Sequence, residues 1–283
     1  MEENIIIPNL AGLERLKKVI SEEGAGNLHV LTDFDRTLTT AFVNGRSVNS
    51  LISILYNENY LSPDYTKEAQ ALHEKYYPIE IDPKVPKEEK KNAMNEWWTK
   101  HFALLIKSGL NKNDLRRIMN SDRVRLREGC SEFIELLKDY NIPLIIMSAS
   151  GLGVDPIAMF LKKEGKLYNN IYIISNYYEW DENGNALSVK EPIIHSLNKD
   201  ETAVQNFPAF EVIKNRKNVI LLGDNLEDVG MIEGFGYNNL IKIGFLNENI
   251  EENLEYYKRN YDVIILNDSS MDYVNSLLRE VVI

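Results

Sequence analysis

Short apolar runs separated by polar and helical stretches recur along the chain. Each run is rich in Val, Ile or Leu and is bounded by polar or turn residues; the runs cover residues 28–31, 143–147, 219–222, 240–245 and 263–266. Continuous apolar runs of this length are typical of strands buried on both faces of a parallel sheet. Because helical patterns lie between them, for example at residues 131–140 and 155–164, we predict an α/β fold with a Rossmann-like, doubly wound parallel sheet.

The stretch between the first and second runs has a different pattern. Helical spacing covers most of residues 46–128, in pieces at 48–58, 64–76, 87–107 and 112–120. We predict breaks at Tyr77-Pro78 and at residues 82–86, where prolines interrupt the pattern. So much helix without a strand predicts a helical cap domain, residues 46–128, inserted into a catalytic core of residues 1–45 and 129–283. The alternative is a long helical excursion within a single domain.

Pairs of carboxylates follow two of the predicted strands. Asp33 and Asp35 follow the first run, and side chains two residues apart on an extended chain point the same way. Asp224 and Asp228 follow the third run, and their spacing places them on one face of a helical turn. The carboxyl ends of parallel strands are where such sheets bind ligands, and carboxylates are hard ligands that suit Mg²⁺. Solvated loop acids are the alternative for either pair alone, but the repetition favours a magnesium site made by all four.

Small and basic residues near these acids could hold a phosphate. Ser148 and Ala149 follow the second run, where a hydroxyl and free backbone N–H groups near a helix start form a typical phosphate cradle. Lys199 could supply a fixed positive charge. A turn with a serine and a single lysine are ordinary surface features by themselves, so these assignments depend on the carboxylate pairs.

Charge and composition limit the kinds of partner. The 283 residues carry 43 acidic and 32 basic side chains, which gives a net charge of −11, and the pI is about 5.0. Nucleic acid requires a positive surface, so we expect no nucleic-acid partner. We expect a local run of arginines to form a solvated face of the cap: Arg116, Arg117, Arg123, Arg125 and Arg127. A small anionic substrate is compatible with the charge, because a bound metal ion supplies positive charge locally.

Cysteine usage and hydropathy predict the compartment. The single cysteine, Cys130, cannot form an internal disulfide, which is typical of a reducing environment. The Met-Glu-Glu-Asn start has no signal-peptide pattern, and no apolar run is long enough to span a bilayer. We therefore expect a soluble, cytoplasmic protein with no membrane partner. We favour a monomer, although the sequence leaves the oligomeric state open.

Together these segments resemble the motifs of the haloacid dehalogenase superfamily. Asp33-Phe34-Asp35-X-Thr37 resembles its first motif, Ser148 its second, Lys199 its third and Gly223-Asp224-(X)3-Asp228 its fourth. Further segments are similar to the cytosolic pyrimidine 5′-nucleotidases of class III: residues 74–83, 96–100, 126–129 and 243–247. The likeness runs from about residue 28 to the C-terminus.

The resemblance implies a Mg²⁺-dependent 5′-nucleotidase that hydrolyses pyrimidine nucleoside monophosphates, such as CMP and UMP, through a phosphoaspartyl intermediate. Asp33 would be the nucleophile, and Asp35 the general acid and then the base. Mg²⁺ would be held by the Asp33 side chain, the Asp35 backbone carbonyl and Asp224, and Asp228 would bind it through water or orient the other ligands. Lys199 and Ser148 would also stabilise the phosphoryl group during transfer. The substrate would be bound by a set of core and cap residues: Thr37, Glu80, His101, Ser148, Ala149 and Lys199. In that family the glutamate that matches Glu80 holds the nucleoside.

Departures from the family leave alternatives open. His101 stands where the family has a substrate-binding serine, and residues 46–52 lack the Cys, Pro and His expected near the base. The base preference is therefore open, and a second hypothesis is another phosphomonoester such as 7-methylguanosine monophosphate. Nucleoside phosphotransfer is a third hypothesis, and a non-catalytic phosphate-binding module is a fourth. Aromatic residues of the insert could stack on the base or could only pack the cap: Tyr76, Tyr77, Trp97 and Trp98.

Overall fold

A mostly parallel sheet forms the centre of the computed structural model, which describes residues 4–48, 50–57, 60–82, 84–199, 208–234 and 236–283. In chain order the strands are β1 (Ile5–Ile6), β2 (Leu28–Thr32), β3 (Phe42–Val43), β4 (Arg46–Ser47), β5 (Leu144–Met147), β6 (Ile171–Ile174), β7 (Tyr178–Trp180), β8 (Ala186–Val189), β9 (Asn218–Gly223), β10 (Asn239–Leu246) and β11 (Val263–Leu266). The central sheet has the order β1-β11-β10-β9-β2-β5-β6, in which β1 is antiparallel and the other strands are parallel. The predicted strands all lie in this sheet, so the predicted α/β class is confirmed.

Helices cover both faces of the sheet. They are α1 (Leu10–Glu23), α2 (Leu51–Asn57), α3 (Pro63–Ile81), α4 (Lys87–Lys107), α5 (Lys112–Asn120), α6 (Cys130–Asp139), α7 (Val154–Lys163), α8 (Pro208–Ile213), α9 (Ile250–Asn260) and α10 (Asp272–Val282). Short 3-10 turns cover Ala25–Asn27, Ser196–Asn198 and Leu226–Gly234. Within the ranges given above, no helix is both long and apolar enough to cross a membrane.

Side chains of the strands alternate between two apolar clusters, one on each face of the sheet. In β2, Val30 packs in the cluster that includes Phe133 of α6, whereas its neighbour Leu31 packs in the cluster that includes Tyr257 of α9. Every residue of β2 and β9 is buried, which accounts for their largely apolar sequences. The edge strand β6 is mostly half-buried and was not predicted, although its sequence, Ile-Tyr-Ile-Ile, is apolar.

The helices α2 to α5 lie between β2 and β5 in the chain, within the predicted cap of residues 46–128. The bounds of α4 and α5 are those predicted. The helix predicted at 48–58 is shorter in the structure, where α2 covers Leu51–Asn57. Asn49 and Glu58 lie outside the described residues. The hairpin of β3 and β4 crosses the predicted boundary at residue 45. The domain boundaries therefore stay a prediction.

The cap shares most of its core with the sheet. Leu51, Phe102 and Leu115, from α2, α4 and α5, belong to the same buried cluster as Val30. A smaller cluster of Tyr76, Met94 and Trp97 joins α3 to α4. One continuous apolar core therefore runs from the sheet into the insert, and the insert packs directly against the sheet.

The predicted break at Tyr77-Pro78 is wrong, because α3 continues through Pro78 to Ile81. A proline inside a helix removes one backbone hydrogen bond, and the helix closes again where the N–H of Asp82 donates to the carbonyl of Pro78 at 3.2 Å. This last turn carries Glu80. The predicted break at residues 82–86 agrees with the structure, since α3 ends at Ile81 and α4 begins after Pro86; Pro83 lies outside the described residues.

Candidate active site

Adjacent strands bring three carboxylates together. β2 and β9 run parallel with Thr32 beside Leu222, so the residues that follow, Asp33 and Asp224, leave the sheet at the same edge. Asp228 lies one turn further along, and one carboxylate oxygen from each of these three aspartates lies within 4.8 Å of the other two. The structure thus brings together the side chains of three of the four predicted metal ligands. Asp35 is predicted to bind through its backbone carbonyl, which this grouping of side-chain oxygens does not test.

The turn after β9 places Asp228 under the strand end. Its Oδ2 accepts hydrogen bonds from the backbone N–H groups of Asp224 at 3.1 Å and Asn225 at 3.0 Å. A Cβ atom on Gly223 would lie 2.5 Å from the Cβ of Asp228, closer than non-bonded carbons approach. Only glycine therefore allows this turn to fold back, which explains the Gly-Asp-(X)3-Asp spacing.

Lys199 bridges the cluster, and its Nζ lies 2.6 Å from Asp33 Oδ1 and 3.0 Å from Asp228 Oδ1. Burial opposes its charge, but the two carboxylates outweigh that effect and raise the pKa of Lys199. Burial raises the pKa of Asp33 to about 7 against the lowering effect of Lys199, and burial with repulsion from Asp228 raises the pKa of Asp224 well above its usual range. The carboxylates are thus incompletely neutralised, and this charge balance fits a divalent cation.

Asp35 lines the same cavity as the cluster of Asp33, Asp224 and Asp228, but its side chain lies beside that cluster. Burial raises the pKa of Asp35 to about 8, and the charge of Asp33 adds to the effect. The backbone N–H of Leu51 donates to its carboxyl group. This raised pKa favours the protonated carboxyl group, the state in which it can give a proton to a leaving oxygen.

The end of β5 presents small polar groups to the cavity. The Oγ of Ser148 accepts a hydrogen bond from the N–H of Ser150 at 3.2 Å, and the Oγ of Ser150 accepts one from the N–H of Leu152 at 3.2 Å. Ser148, Ala149 and Ser150 all line the cavity that contains Asp33. Their position agrees with the predicted phosphate cradle at this strand end.

Arg127 holds the loop that follows β2. Its guanidinium donates to the carbonyl of Thr37 at 2.8 Å, to the carbonyl of Ser269 at 2.8 Å and to Oδ1 of Asn247 at 3.1 Å, and pairs with Asp268 at 3.0 Å. The prediction that Arg127 belongs to a solvated face is therefore wrong: it is 1% exposed, because satisfying the carbonyls of a tight loop requires several fixed donors at one point. Arg116, Arg117 and Arg125 are exposed, as predicted, and Arg123 is half-buried.

Two residues of the same loop differ in their relation to the cavity. The Thr37 side chain is buried and does not line the cavity. It is therefore part of the loop and not part of the cavity wall. Arg36, which the sequence did not single out, does line it. Its backbone has a φ of +60°, its Nε lies 3.5 Å from Asp224 Oδ2, and its Nη2 lies 2.7 Å from Glu248. Arg36 is thus a second cation beside the carboxylate cluster.

A cavity of about 830 Å³ extends from the carboxylates to the cap. The cap contributes Tyr77, Glu80, Ile81 and Trp98 to its wall. The Glu80 carboxylate accepts a hydrogen bond from the Ser196 hydroxyl at 2.7 Å, and burial raises its pKa. Ser196, another residue that the sequence did not single out, therefore connects the core to the cap at the roof of the cavity.

The cap aromatic residues divide into two groups. Trp98 and Tyr77 line the cavity, whereas Tyr76 and Trp97 pack behind them in the small cap cluster. His101 does not line the cavity; its ring stacks on Trp98 with a centroid distance of 5.6 Å, and its Nε2 lies 3.0 Å from the Tyr65 hydroxyl. Burial lowers the pKa of His101 to about 4. The structure therefore places His101 one layer behind the wall, in contact with Trp98.

The fold and the site together define a phosphatase of the haloacid dehalogenase class. Paired aspartates follow the first core strand, a serine follows the second, and a lysine and a Gly-Asp-(X)3-Asp turn complete one cavity under a helical insert. The pyrimidine 5′-nucleotidase (UMPH-1) family profile matches residues 36–282. The chain belongs to this family, and it is a 5′-nucleotidase, a phosphoric monoester hydrolase.

Known relatives cover nearly the whole chain. The 7-methylguanosine phosphate-specific 5′-nucleotidase of Gallus gallus is 37% identical over 263 residues, 93% of this chain and 90% of the relative. The protein of the same name from Homo sapiens is 36% identical over 282 residues, 99% of this chain and 93% of the relative. The crystal structure of cytosolic 5′-nucleotidase IIIB bound to cytidine is similar with a TM-score of 0.88 and 27% identity, and covers 99% of this chain and 94% of that one.

Proposed function

We propose that this 5′-nucleotidase hydrolyses 7-methylguanosine 5′-monophosphate to 7-methylguanosine and phosphate. The names of the relatives from Gallus gallus and Homo sapiens support this substrate over the pyrimidine nucleotides expected first. The observation that carries the proposal is the pairing of an aromatic side chain, Trp98, with a carboxylate, Glu80, in the wall of one cavity.

The chemistry of the methylated base matches this pairing. Methylation at N7 gives the guanine ring a positive charge, and a cationic ring is attracted to the face of a tryptophan. Acidic groups in the wall, Glu80 and Glu227, add attraction for a cation. The Watson–Crick edge of guanine also presents neighbouring N–H donors that a carboxylate can accept.

Pyrimidine monophosphates are the second candidate. The family is described as pyrimidine 5′-nucleotidases, and the similar crystal structure holds cytidine. The amino group of cytosine donates a hydrogen bond that a carboxylate such as Glu80 can accept. A cytosine ring carries no fixed charge, so Trp98 would contribute stacking without the cation–π term.

The residues at the strand ends fit a magnesium ion. Asp33, Asp224 and Asp228 provide hard oxygen donors within 4.8 Å of one another, and their charge is only partly offset by Lys199 and Arg36. We propose that these three aspartates hold Mg²⁺, with Asp35 contributing its backbone carbonyl rather than its side chain. When bound, the ion offsets the repulsion between the phosphate and the attacking carboxylate.

The remaining roles follow from position. Asp33 attacks phosphorus and forms the phosphoaspartyl intermediate. Asp35 gives its proton to the leaving ribose oxygen and then activates the water that releases phosphate. Lys199 and the Ser148–Ala149 turn hold the phosphoryl oxygens. Thr37 and His101 act through the loop and the aromatic wall that they support.

We also propose a cytoplasmic location. The lone, buried Cys130 is typical of a reducing compartment, and the similar crystal structure is named as a cytosolic enzyme.

Steady-state kinetics with a panel of monophosphates tests the substrate proposal. We expect kcat/KM for 7-methylguanosine monophosphate to exceed that for GMP by about tenfold, since the two differ only by the methyl group and its charge. CMP and UMP measure the second candidate, and AMP serves as an unrelated base. A higher kcat/KM for CMP than for the methylated nucleotide would contradict the first proposal and support the second.

A further inference from the structure

The segment that leads into Lys199 touches both ends of the cavity. Ser196 donates a hydrogen bond to Glu80 of the cap at 2.7 Å, and Leu197 packs against the cap cluster that contains Trp97. Lys199 follows closely and pairs with the catalytic carboxylates at 2.6 Å and 3.0 Å. One short segment therefore joins the nucleoside end of the cavity to the phosphate end.

This segment is held in place by its own side chains. His195 Nδ1 accepts the N–H of Leu197 at 3.2 Å, and Asn198 Oδ1 accepts the N–H of His195 at 2.7 Å. Asn176, which is buried, holds the preceding residue through two hydrogen bonds to the backbone of Ile194, at 2.8 Å and 2.9 Å. The Ser196 hydroxyl thus projects from a backbone that is fixed on both sides.

Glu80 needs such a fixed donor. Its side chain is long and loses considerable rotamer freedom when it is ordered. Lys90 donates to the backbone carbonyl of Glu80 at 2.6 Å, which fixes the backbone but leaves the side chain to turn. Ser196 engages Oε1, and a carboxylate has two oxygens with several lone pairs, so acceptor capacity remains for a ligand in the cavity.

We propose that Ser196 is a positioning residue for nucleoside binding: its hydroxyl orients the Glu80 carboxylate toward the substrate. The inference rests on the proposed function only in that Glu80 contacts the nucleoside, and it does not depend on which base is preferred. Ser196 acts through Glu80 and does not itself take part in phosphoryl transfer.

Three variants test this role. Ser196→Ala removes the hydroxyl, and Ser196→Thr restores a hydroxyl in the same place. Ser188→Ala is a matched control, because Ser188 also donates to a glutamate, Glu179, at 2.6 Å, but on the β7–β8 hairpin outside the cavity wall. KM and kcat are measured with whichever of CMP and 7-methylguanosine monophosphate has the higher kcat/KM in the unmodified enzyme.

We expect Ser196→Ala to raise KM by about tenfold, the effect of one hydrogen bond to a charged group, and to lower kcat by much less. Ser196→Thr should recover most of the loss, and Ser188→Ala should match the unmodified enzyme. Calorimetric titration with cytidine and with 7-methylguanosine should show the same loss in nucleoside affinity. An unchanged or lower KM in Ser196→Ala, or a fall in kcat as large as the rise in KM, would overturn the inference.

A double-mutant comparison separates positioning from a general structural role. In a Glu80→Ala background, Ser196→Ala should have no further effect on KM, because the carboxylate that it orients is gone. Equal effects with and without Glu80 would overturn the inference. An unmodified enzyme that hydrolyses neither nucleotide would contradict the proposed function instead, and the nucleoside titrations would still decide the role of Ser196.

Discussion

The two ends of the cavity are built in different ways. The proposed phosphate end is built mainly of residues that follow strand ends, such as Asp33, Ser148 and Asp224, whose positions follow from the pairing of β2, β5 and β9. The proposed nucleoside end consists of side chains from helices and from a turn, such as Glu80, Trp98 and Ser196, which come together only through the packing of the insert on the core.

We expect the strand ends to carry the chemistry of phosphoryl transfer and the insert to determine which nucleoside is accepted. At the phosphate end the strand register and the turn after β9 bring the three carboxylates within 4.8 Å of one another. At the nucleoside end the wall depends on which helix faces the cavity, so the same core can serve different leaving groups when the insert changes. Substitutions at the two ends should therefore have different kinetic signatures.

The largest effect should come from the nucleophile. Asp33→Asn removes the group that bonds to phosphorus, so we expect no measurable turnover, whereas Asp35→Asn should retain a trace because general acid–base catalysis contributes about 10²- to 10⁴-fold. Phosphate release with CMP and 7-methylguanosine monophosphate measures both. Equal and mild losses in the two variants would refute the assignment of roles.

Removal of the metal should be the next largest effect. EDTA should reduce phosphate release to background, and added Mg²⁺ should restore it, since the carboxylate cluster is only partly neutralised by Lys199. Mg²⁺ should also raise the Tm of the unmodified enzyme, because an ion that binds only the folded state stabilises it. Asp224→Asn should reduce this rise in Tm. Phosphate release that is insensitive to EDTA would contradict the metal site.

The neighbouring tryptophans of α4 test the nucleoside end. Trp98 lines the cavity, so Trp98→Leu should raise KM by about tenfold through lost stacking on the base. Trp97 packs in the cap cluster, so Trp97→Leu leaves a cavity and should instead lower the free energy of unfolding by roughly 1–3 kcal/mol. Nucleotide kinetics and urea unfolding are measured for both variants. Equal changes in KM and in the free energy of unfolding in the two variants would contradict the different positions assigned to Trp98 and Trp97.

The cluster of acidic side chains could be predicted from the sequence, because it depends on relations that are local in the chain. Asp33 and Asp224 follow the apolar strands β2 and β9 directly, and Gly223 marks the turn that returns Asp228 to the strand end. Each of these relations spans only a few residues of chain. The edge strand β6 was missed although its sequence, Ile-Tyr-Ile-Ile, is apolar, because a short apolar run can be a strand or part of a buried helix. The continuation of α3 through Pro78 was missed because a helix can tolerate the loss of one hydrogen bond.

The nucleoside end could be predicted only in part. Glu80 was identified by resemblance, but its partner Ser196 lies 116 residues away in the chain, and no spacing rule connects them. Nothing local distinguishes Trp98 from Trp97 or shows that Arg127 is buried under the loop after β2. These features depend on contacts between distant segments, which a single sequence does not display.

The smallest predicted effect concerns His101, one layer behind the cavity wall. Its pKa in the folded protein is about 4, below the ordinary value of 6.5, because burial favours the neutral ring. The unfolded chain therefore takes up a proton first as the pH falls, and the free energy of unfolding should drop by about 1 kcal/mol between pH 7 and pH 5.5 from this group. His101→Gln, which keeps a polar group near Tyr65, should lose this part of the pH dependence, while the buried His29, with a pKa also near 4, contributes equally to both proteins. Urea unfolding at the two pH values measures the difference, and identical pH dependence in variant and unmodified protein would show that His101 is not held neutral.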